Sequence, residues 1–153
     1  MTNAKSPKTI AMTVPEIEHF IEEHFPQLHH GGRMVAVEAV GPMSARLRLL
    51  ADERHLRPGG TVSGPAMFML ADVAMYIAIL AQIGPVALAV TTNMNINFLR
   101  KPPHGDVIVE CRLLKLGKRL AVGEATLYGE GSDDVVAHAV ATYSIPAPTK
   151  DGI

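Results

Sequence analysis

The sequence predicts an α+β domain in which an antiparallel sheet wraps around one long apolar helix. Three observations predict it. A nearly continuous run of Ala, Met, Leu, Ile and Val extends from Pro65 to Val90, and Gly84-Pro85 breaks it after about 19 residues, a helical length. On both sides of that run, apolar and polar residues alternate with the period of two expected of strands that cover one face. The alternating segments are joined by turns of a few residues, which antiparallel neighbours permit and parallel ones do not.

The elements follow in order along one domain, residues 13–146, with polar tails at 1–12 and 147–153. Thr13 caps a first helix, with Pro15 in its first turn and Glu16 three residues after the cap. Ile17, Phe20 and Ile21 then share one helical face, and Pro26 ends the segment. From Arg33 the period changes. Val35, Val37 and Ala39 alternate with Ala36, Glu38 and Val40; Gly41-Pro42 turns the chain; Ala45, Leu47 and Leu49 alternate with Arg46 and Arg48. These two strands form a hairpin. A loop rich in Arg, Pro and Gly runs from Asp52 to Gly64, with Ser63 as a candidate N-cap of the long helix and Pro65 in its first turn. Four more strands are expected near 87–100, 106–115, 119–130 and 134–145, with turns at Leu116-Gly117-Lys118 and Gly131-Ser132-Asp133.

Composition narrows the function. The chain has 153 residues, 48% hydrophobic and 19% charged, with 14 basic against 15 acidic side chains and a net charge of -1. That balance argues against a nucleic-acid binder held by a basic face. Cys111 is the single cysteine, so no intrachain disulfide forms, and nothing around it has the spacing of a zinc site. No secretory leader follows Lys5 and Lys8. Asp72 and Gln82 interrupt the apolar run, and the strands need a helix to cover them, so the run reads as a buried core helix rather than a membrane span. A cytoplasmic protein without a membrane partner is expected.

Asp72 is the only carboxylate between Pro65 and Ala81, on a helix apolar all round, and is expected to be buried. A buried carboxylate needs compensation. It is either a structural Asp bonded to hydroxyls or amides of a neighbouring strand, or a general base or nucleophile in a dry cleft. The loop Arg57-Pro58-Gly59-Gly60-Thr61-Val62-Ser63-Gly64-Pro65 leads into the helix N-terminus, where free amides suit a carbonyl becoming an oxyanion. It lacks the Lys-Ser/Thr ending of a phosphate loop. Gly64 and Asp72 are eight residues apart, roughly 12 Å along a helix. One helix cannot present both to the same carbonyl, so joint action requires two copies in a symmetric dimer with two equivalent sites.

The run Gly60-x-x-Ser63-Gly64-Pro65-x-x-Phe68-x-Leu70-Ala71-Asp72 resembles the signature of hotdog-fold acyl-CoA thioesterases of the phenylacetic-acid-degradation type. Thr91-Thr92-Asn93-Met94-Asn95-Ile96-Asn97-Phe98-Leu99 followed by Pro102 resembles that family's central strand, and Leu114-Lys115-x-Gly117-Lys118 fits as well, so the resemblance spans about residues 33–146. The family's His falls on Ser63, its second Gly on Pro65, and a common upstream Asn on Arg57.

The resemblance implies the hotdog fold and hydrolysis of an acyl-CoA by a homodimer or a dimer of dimers, with CoA present only as part of the substrate and no metal or cofactor. It implies that the Gly64 N–H receives the thioester oxygen while the partner's Asp72 activates water or attacks the carbonyl. Thr91 best matches the family's hydroxyl near the acid, with Thr92 next; Ser63 caps the helix or assists the oxyanion. Beside Gly60 and Pro65 in the loop, Arg57, Arg100, Lys101, Lys118 and Arg119 are candidates for the phosphates of CoA. Other residues read as structural: His19, His24, His29 and His30 as a solvated face, Met67, Met69, Met75 and Tyr76 as core, and His30-Gly31-Gly32 as a coincidental copy of the family tripeptide. Two rivals are a non-catalytic acyl-CoA-binding module and a hydratase or dehydratase. The absence of a His between His55 and His104 opposes the second.

Overall fold

The computed structural model describes residues 9–148. Helix α1 (Val14–His24) begins with a reciprocal cap: the Glu16 N–H donates to Thr13 Oγ1, and the Thr13 N–H donates to the Glu16 carboxylate at 3.2 Å. Its apolar face (Ile17, Phe20, Ile21) is buried. Pro26 ends α1 as expected and opens a single 3-10 turn, Pro26–His29, that buries Leu28. The packed unit reaches further toward the N-terminus than the expected boundary at Thr13. The Ala11 N–H donates to the Ala81 carbonyl at 2.6 Å, and Met12 is buried. Residues 1–8 and 149–153 of the expected tails lie outside the described residues.

Six strands form one antiparallel sheet: β1 (Val35–Gly41), β2 (Ser44–Leu49), β3 (Val90–Phe98), β4 (Val107–Leu116), β5 (Leu120–Gly129) and β6 (Val135–Ser144). Their order is β1-β2-β4-β5-β6-β3. The simple alternation expected for β1 fails after Val37, where a bulge before Ala39 resets the register and leaves Ala39 exposed.

Helix α2 (Gly64–Ile83) lies across the inner face of the sheet. The sheet meets it with small residues, Ala121, Ala125, Ala137, Ala139 and Ala141, against the buried Met75, Ile77, Ile79 and Leu80 of the helix. Large on small brings the two layers close. Gly123 is the tightest point, where a Cβ would sit 2.5 Å from the Met75 sulfur. By length and composition α2 could cross a bilayer, yet it is the buried core helix, covered by the sheet and α1. The two edges of the sheet differ. α1 packs beside β1, whereas β3 has no strand beyond it among the described residues and exposes Val90 and Phe98.

Candidate active site

Asp72 is half-buried rather than fully buried. Helical spacing puts Met69, Asp72, Val73 and Tyr76 on one stripe of α2, and that stripe lines a cavity of about 330 Å³. An apolar pattern running all round the helix concealed this cavity, because one side of α2 faces open space instead of a packed layer.

Two hydroxyls hold the carboxylate. Thr91 Oγ1 donates to Asp72 Oδ1 at 2.5 Å, and the Tyr143 hydroxyl donates to the same oxygen at 2.7 Å while lying 2.9 Å from the Asp72 main-chain carbonyl. Oδ2 accepts no hydrogen bond from the described residues. Burial, and then the Asp72 charge, push the Tyr143 phenol well above its ordinary range, so it stays a donor at every ordinary pH. The first of the two Asp72 readings is therefore observed, a carboxylate satisfied by strand hydroxyls, but only at one oxygen. The other oxygen has no donor among the described residues.

The strands explain which hydroxyls arrive. A bulge at Thr92 shifts the β3–β6 register between Thr91 and Asn93, so Thr91 shares the inner face with Met94 and Ile96. Thr92 is turned away: its hydroxyl donates to the Thr142 carbonyl at 3.2 Å. Tyr143 was not singled out from sequence. The inward period of β6 (Ala137, Ala139, Ala141) could have flagged it as the one large polar residue on a small-residue face.

At the start of α2, Ser63 acts as the cap: the Ala66 N–H donates to its Oγ at 3.3 Å, and the Met67 N–H donates to its carbonyl at 3.1 Å. Pro65 has no N–H, and the Gly64 N–H finds no acceptor among the described residues. A Cβ on Gly64 would meet the Phe98 ring at 3.4 Å, an ordinary contact. The chain's own packing therefore does not require glycine there. The loop before it is pinned: the Ser63 N–H donates to the His55 carbonyl at 2.7 Å, the Arg57 N–H to the Thr61 carbonyl at 2.9 Å, and His104 Nδ1 to the Gly60 carbonyl at 3.0 Å. Asp52 caps the short turn Glu53–His55, and its bonds to Arg54 hold its carboxyl down at about 2.

Within one chain, Asp72 thus meets Thr91 and Tyr143 near one end of β3, while Gly64, Ser63 and Pro65 lie by Phe98 near the other. The basic candidates divide the same way, and all are exposed. Arg57, Arg100 and Lys101 flank the Gly64 end, with Arg100 3.7 Å from Asp134. Lys118 and Arg119 occupy the β4–β5 turn at the Asp72 end, where the Ile145 N–H reaches the Arg119 carbonyl at 2.8 Å.

Several structural readings change. Met67, Met75 and Tyr76 are core, Tyr76 lining the cavity as well, whereas Met69 is only partly buried and lines the cavity. His19 is a solvated residue 3.7 Å from Glu23, whereas His24 lines the cavity against Phe20. His30-Gly31-Gly32 forms the turn into β1 and offers the His30 carbonyl to Arg54 at 2.6 Å. Cys111 is buried against Met75, and burial pushes its thiol up to about 12. Among the described residues, no three His, Cys, Asp or Glu side chains gather as a metal site.

Comparison with known proteins shows the family and the fold. The profile of the family described as "Thioesterase superfamily" matches residues 59–136. A protein of Saccharolobus solfataricus that carries an esterase assignment is 30% identical over 130 residues, covering 85% of this chain and 77% of its own. A crystal structure from Silicibacter, assigned as a thioesterase, is 45% identical, covers 93% of this chain and 97% of its own, and superimposes with a TM-score of 0.83. Another, a thioesterase-assigned protein from Ralstonia eutropha related to phenylacetic acid degradation, is 26% identical, covers 72% and 84%, and has a TM-score of 0.65. A six-stranded antiparallel sheet around one long helix is the hotdog fold, and the chain belongs to the thioesterase superfamily, whose chemistry is the hydrolysis of thioesters.

Proposed function

We propose that the protein hydrolyses an acyl-CoA to a carboxylate and free CoA, in a site shared between two subunits. One observation carries this reading. Among the described residues, Asp72 has one oxygen held by two hydroxyls and the other without a donor beside a cavity, while the Gly64 N–H, also without a partner, lies roughly 12 Å away along the same helix. A carboxylate base and an oxyanion donor must both lie near 3 Å from the reacting carbonyl.

The open β3 edge supplies the remedy. Pairing two β3 edges antiparallel about a two-fold axis sets the Thr91 end of one chain beside the Phe98 end of the other. Gly64 of one subunit then approaches Asp72 of its partner, and two equal sites result. The same pairing gathers Arg57, Arg100 and Lys101 of one chain with Lys118 and Arg119 of the other, a basic rim suited to the phosphates of CoA. Exposed Phe68, Val90, Phe98 and Leu99 would be covered in such a dimer.

In this site, Asp72 Oδ2 takes a proton from water as the water oxygen bonds to the thioester carbon. The carbonyl oxygen becomes an oxyanion against the partner's Gly64 N–H. The tetrahedral centre collapses, the C–S bond breaks, and the CoA thiolate leaves with the proton held on Asp72, which restores the carboxylate. Direct attack by Asp72, followed by hydrolysis of the anhydride, uses the same atoms. No cofactor enters either route.

The test is release of free thiol from a panel of acyl-CoAs by wild type and Asp72→Asn. Turnover lost in the variant supports the reading. Saturable CoA binding without turnover in wild type would instead identify a binding module, with Ser63 in place of the family His as the reason.

A further inference from the structure

We propose that the break between α1 and the 3-10 turn builds the end wall of the acyl pocket, and that Phe25 and Leu28 set the length of acyl group accepted. The inference rests on the acyl-CoA reading above and adds to it a substrate class and two specificity-determining residues.

The 330 Å³ cavity has one polar corner, where Asp72, Thr91 and Tyr143 meet. Away from that corner its walls are apolar: Met69, Val73 and Tyr76 from α2, and Ala87, Ala89 and Val90 leading into β3. The remaining wall is His24, Phe25 and Leu28. These three precede residues 59–136, the part that matches the family profile. The N-terminal segment therefore supplies the far wall of a pocket whose other walls lie mostly within the part matched by the family profile.

Local chemistry makes this wall firm. Pro26 cannot continue α1, so Phe25 leaves helical geometry, with φ -138° and ψ 52°, while its N–H still donates to the Ile21 carbonyl at 2.8 Å. The Leu28 N–H in turn donates to the Phe25 carbonyl at 3.1 Å, and Leu28 is buried. The Phe25 ring meets Tyr76 edge-on, centroids 6.1 Å apart at 81°. Tyr76 is itself fixed, because its hydroxyl donates to the Ala87 carbonyl at 3.0 Å. His24 is held at the rim by its ring contact with Phe20 at 4.6 Å. An acyl chain that starts at Asp72 and runs past Val73 toward Tyr76 ends against Phe25 and Leu28.

The volume selects the class. Ligand pockets span roughly 300–1,000 Å³, and this cavity lies at the small end. That volume favours a compact, apolar acyl group, a medium straight chain or a single ring, over a long fatty acyl chain.

The test uses S-alkyl-CoA thioethers of increasing length, which cannot be hydrolysed, with the matching acyl-CoAs assayed in parallel. Wild-type affinity should rise with each carbon and stop rising once the pocket is full. Phe25→Leu and Leu28→Ala should move that break to longer chains, with about a 10-fold gain for the first chains beyond it. Ala87→Leu fills the same space, adds packing rather than removing it, and should move the break to shorter chains. Folded variants that leave the break in place, or change all lengths by one factor, overturn the inference. A moving break without hydrolysis in any enzyme supports the pocket and sinks the hydrolytic reading. Hydrolysis with a fixed break sinks the pocket alone, and failure of every thioether to bind sinks both.

Discussion

Thr91 and Tyr143 stand opposite one another in the β3–β6 ladder, and both hydroxyls donate to the same oxygen of Asp72. A carboxylate held at one oxygen by two donors has a fixed plane and a defined free atom. Preorganisation of that kind is what a base or nucleophile needs before substrate arrives.

The first prediction concerns those donors. Tyr143→Phe and Thr91→Val each remove one hydroxyl and keep most of the side-chain volume. A hydrogen bond to a charged group contributes about 1.5–3 kcal/mol, so kcat should fall roughly 10–100-fold in either variant. KM should barely move, because neither hydroxyl is asked to bind CoA. Thr92→Val is the contrast: that hydroxyl serves the Thr142 carbonyl and points away from Asp72, so kcat should stay near wild type. Equal losses at 91 and 92 in steady-state kinetics would reject the assigned roles.

What sequence could and could not reveal follows from the same ladder. Elements and their order were legible because period two, the long apolar run and the punctuation at Pro26, Gly41-Pro42 and Gly84-Pro85 are local signals. The bulges at Val37–Ala39 and at Thr92 were not, since one extra residue in a strand leaves composition unchanged and flips every later side chain. That is why Thr91 and Thr92 could be ranked only by resemblance. Tyr143 became a partner of Asp72 through strand register, and His24 reached the cavity because α1 packs on α2; neither relationship is written in local spacing.

Gly64→Ala separates a structural glycine from a functional one. Within the chain the new methyl group would rest on the Phe98 ring at an ordinary 3.4 Å, and Ala is the better helix former. Thermal stability should be unchanged or slightly higher. On the shared-site reading, turnover should fall at least 10-fold, because a side chain beside the amide crowds the approach of the thioester oxygen. Loss of stability with unchanged turnover would remove Gly64 from the reaction.

Asp52 gives a pH prediction. It is exposed, yet its bonds to Arg54 hold its carboxyl at about 2, below the unfolded value near 3.9. A depressed carboxyl contributes stability above the unfolded pKa and loses it as pH falls through the folded one. Asp52→Asn should therefore melt below wild type at neutral pH, and the gap should close between about pH 4 and pH 2. Melting curves across that window check it; a gap that widens in acid would reverse the sign.

The proposed shared site makes the strongest demand. Asp72→Asn keeps an oxygen for the Thr91 and Tyr143 hydroxyls and nearly the same size, so it removes the base without removing the dimer. A second variant, Gly64→Val, blocks the amide and keeps Asp72. Each homodimer has two ruined sites, one lacking its acid and the other its oxyanion donor. In a mixed dimer the two defects fall together in one site, and the other site combines the intact Gly64 of the first chain with the intact Asp72 of the second. Verified heterodimers should therefore regain up to half of the wild-type rate per dimer. If acid and amide instead served one carbonyl within a single chain, every chain in the mixture would still carry a defect and nothing would return. Mixing two inactive proteins thus reads out the roughly 12 Å between Gly64 and Asp72 as a question about partners.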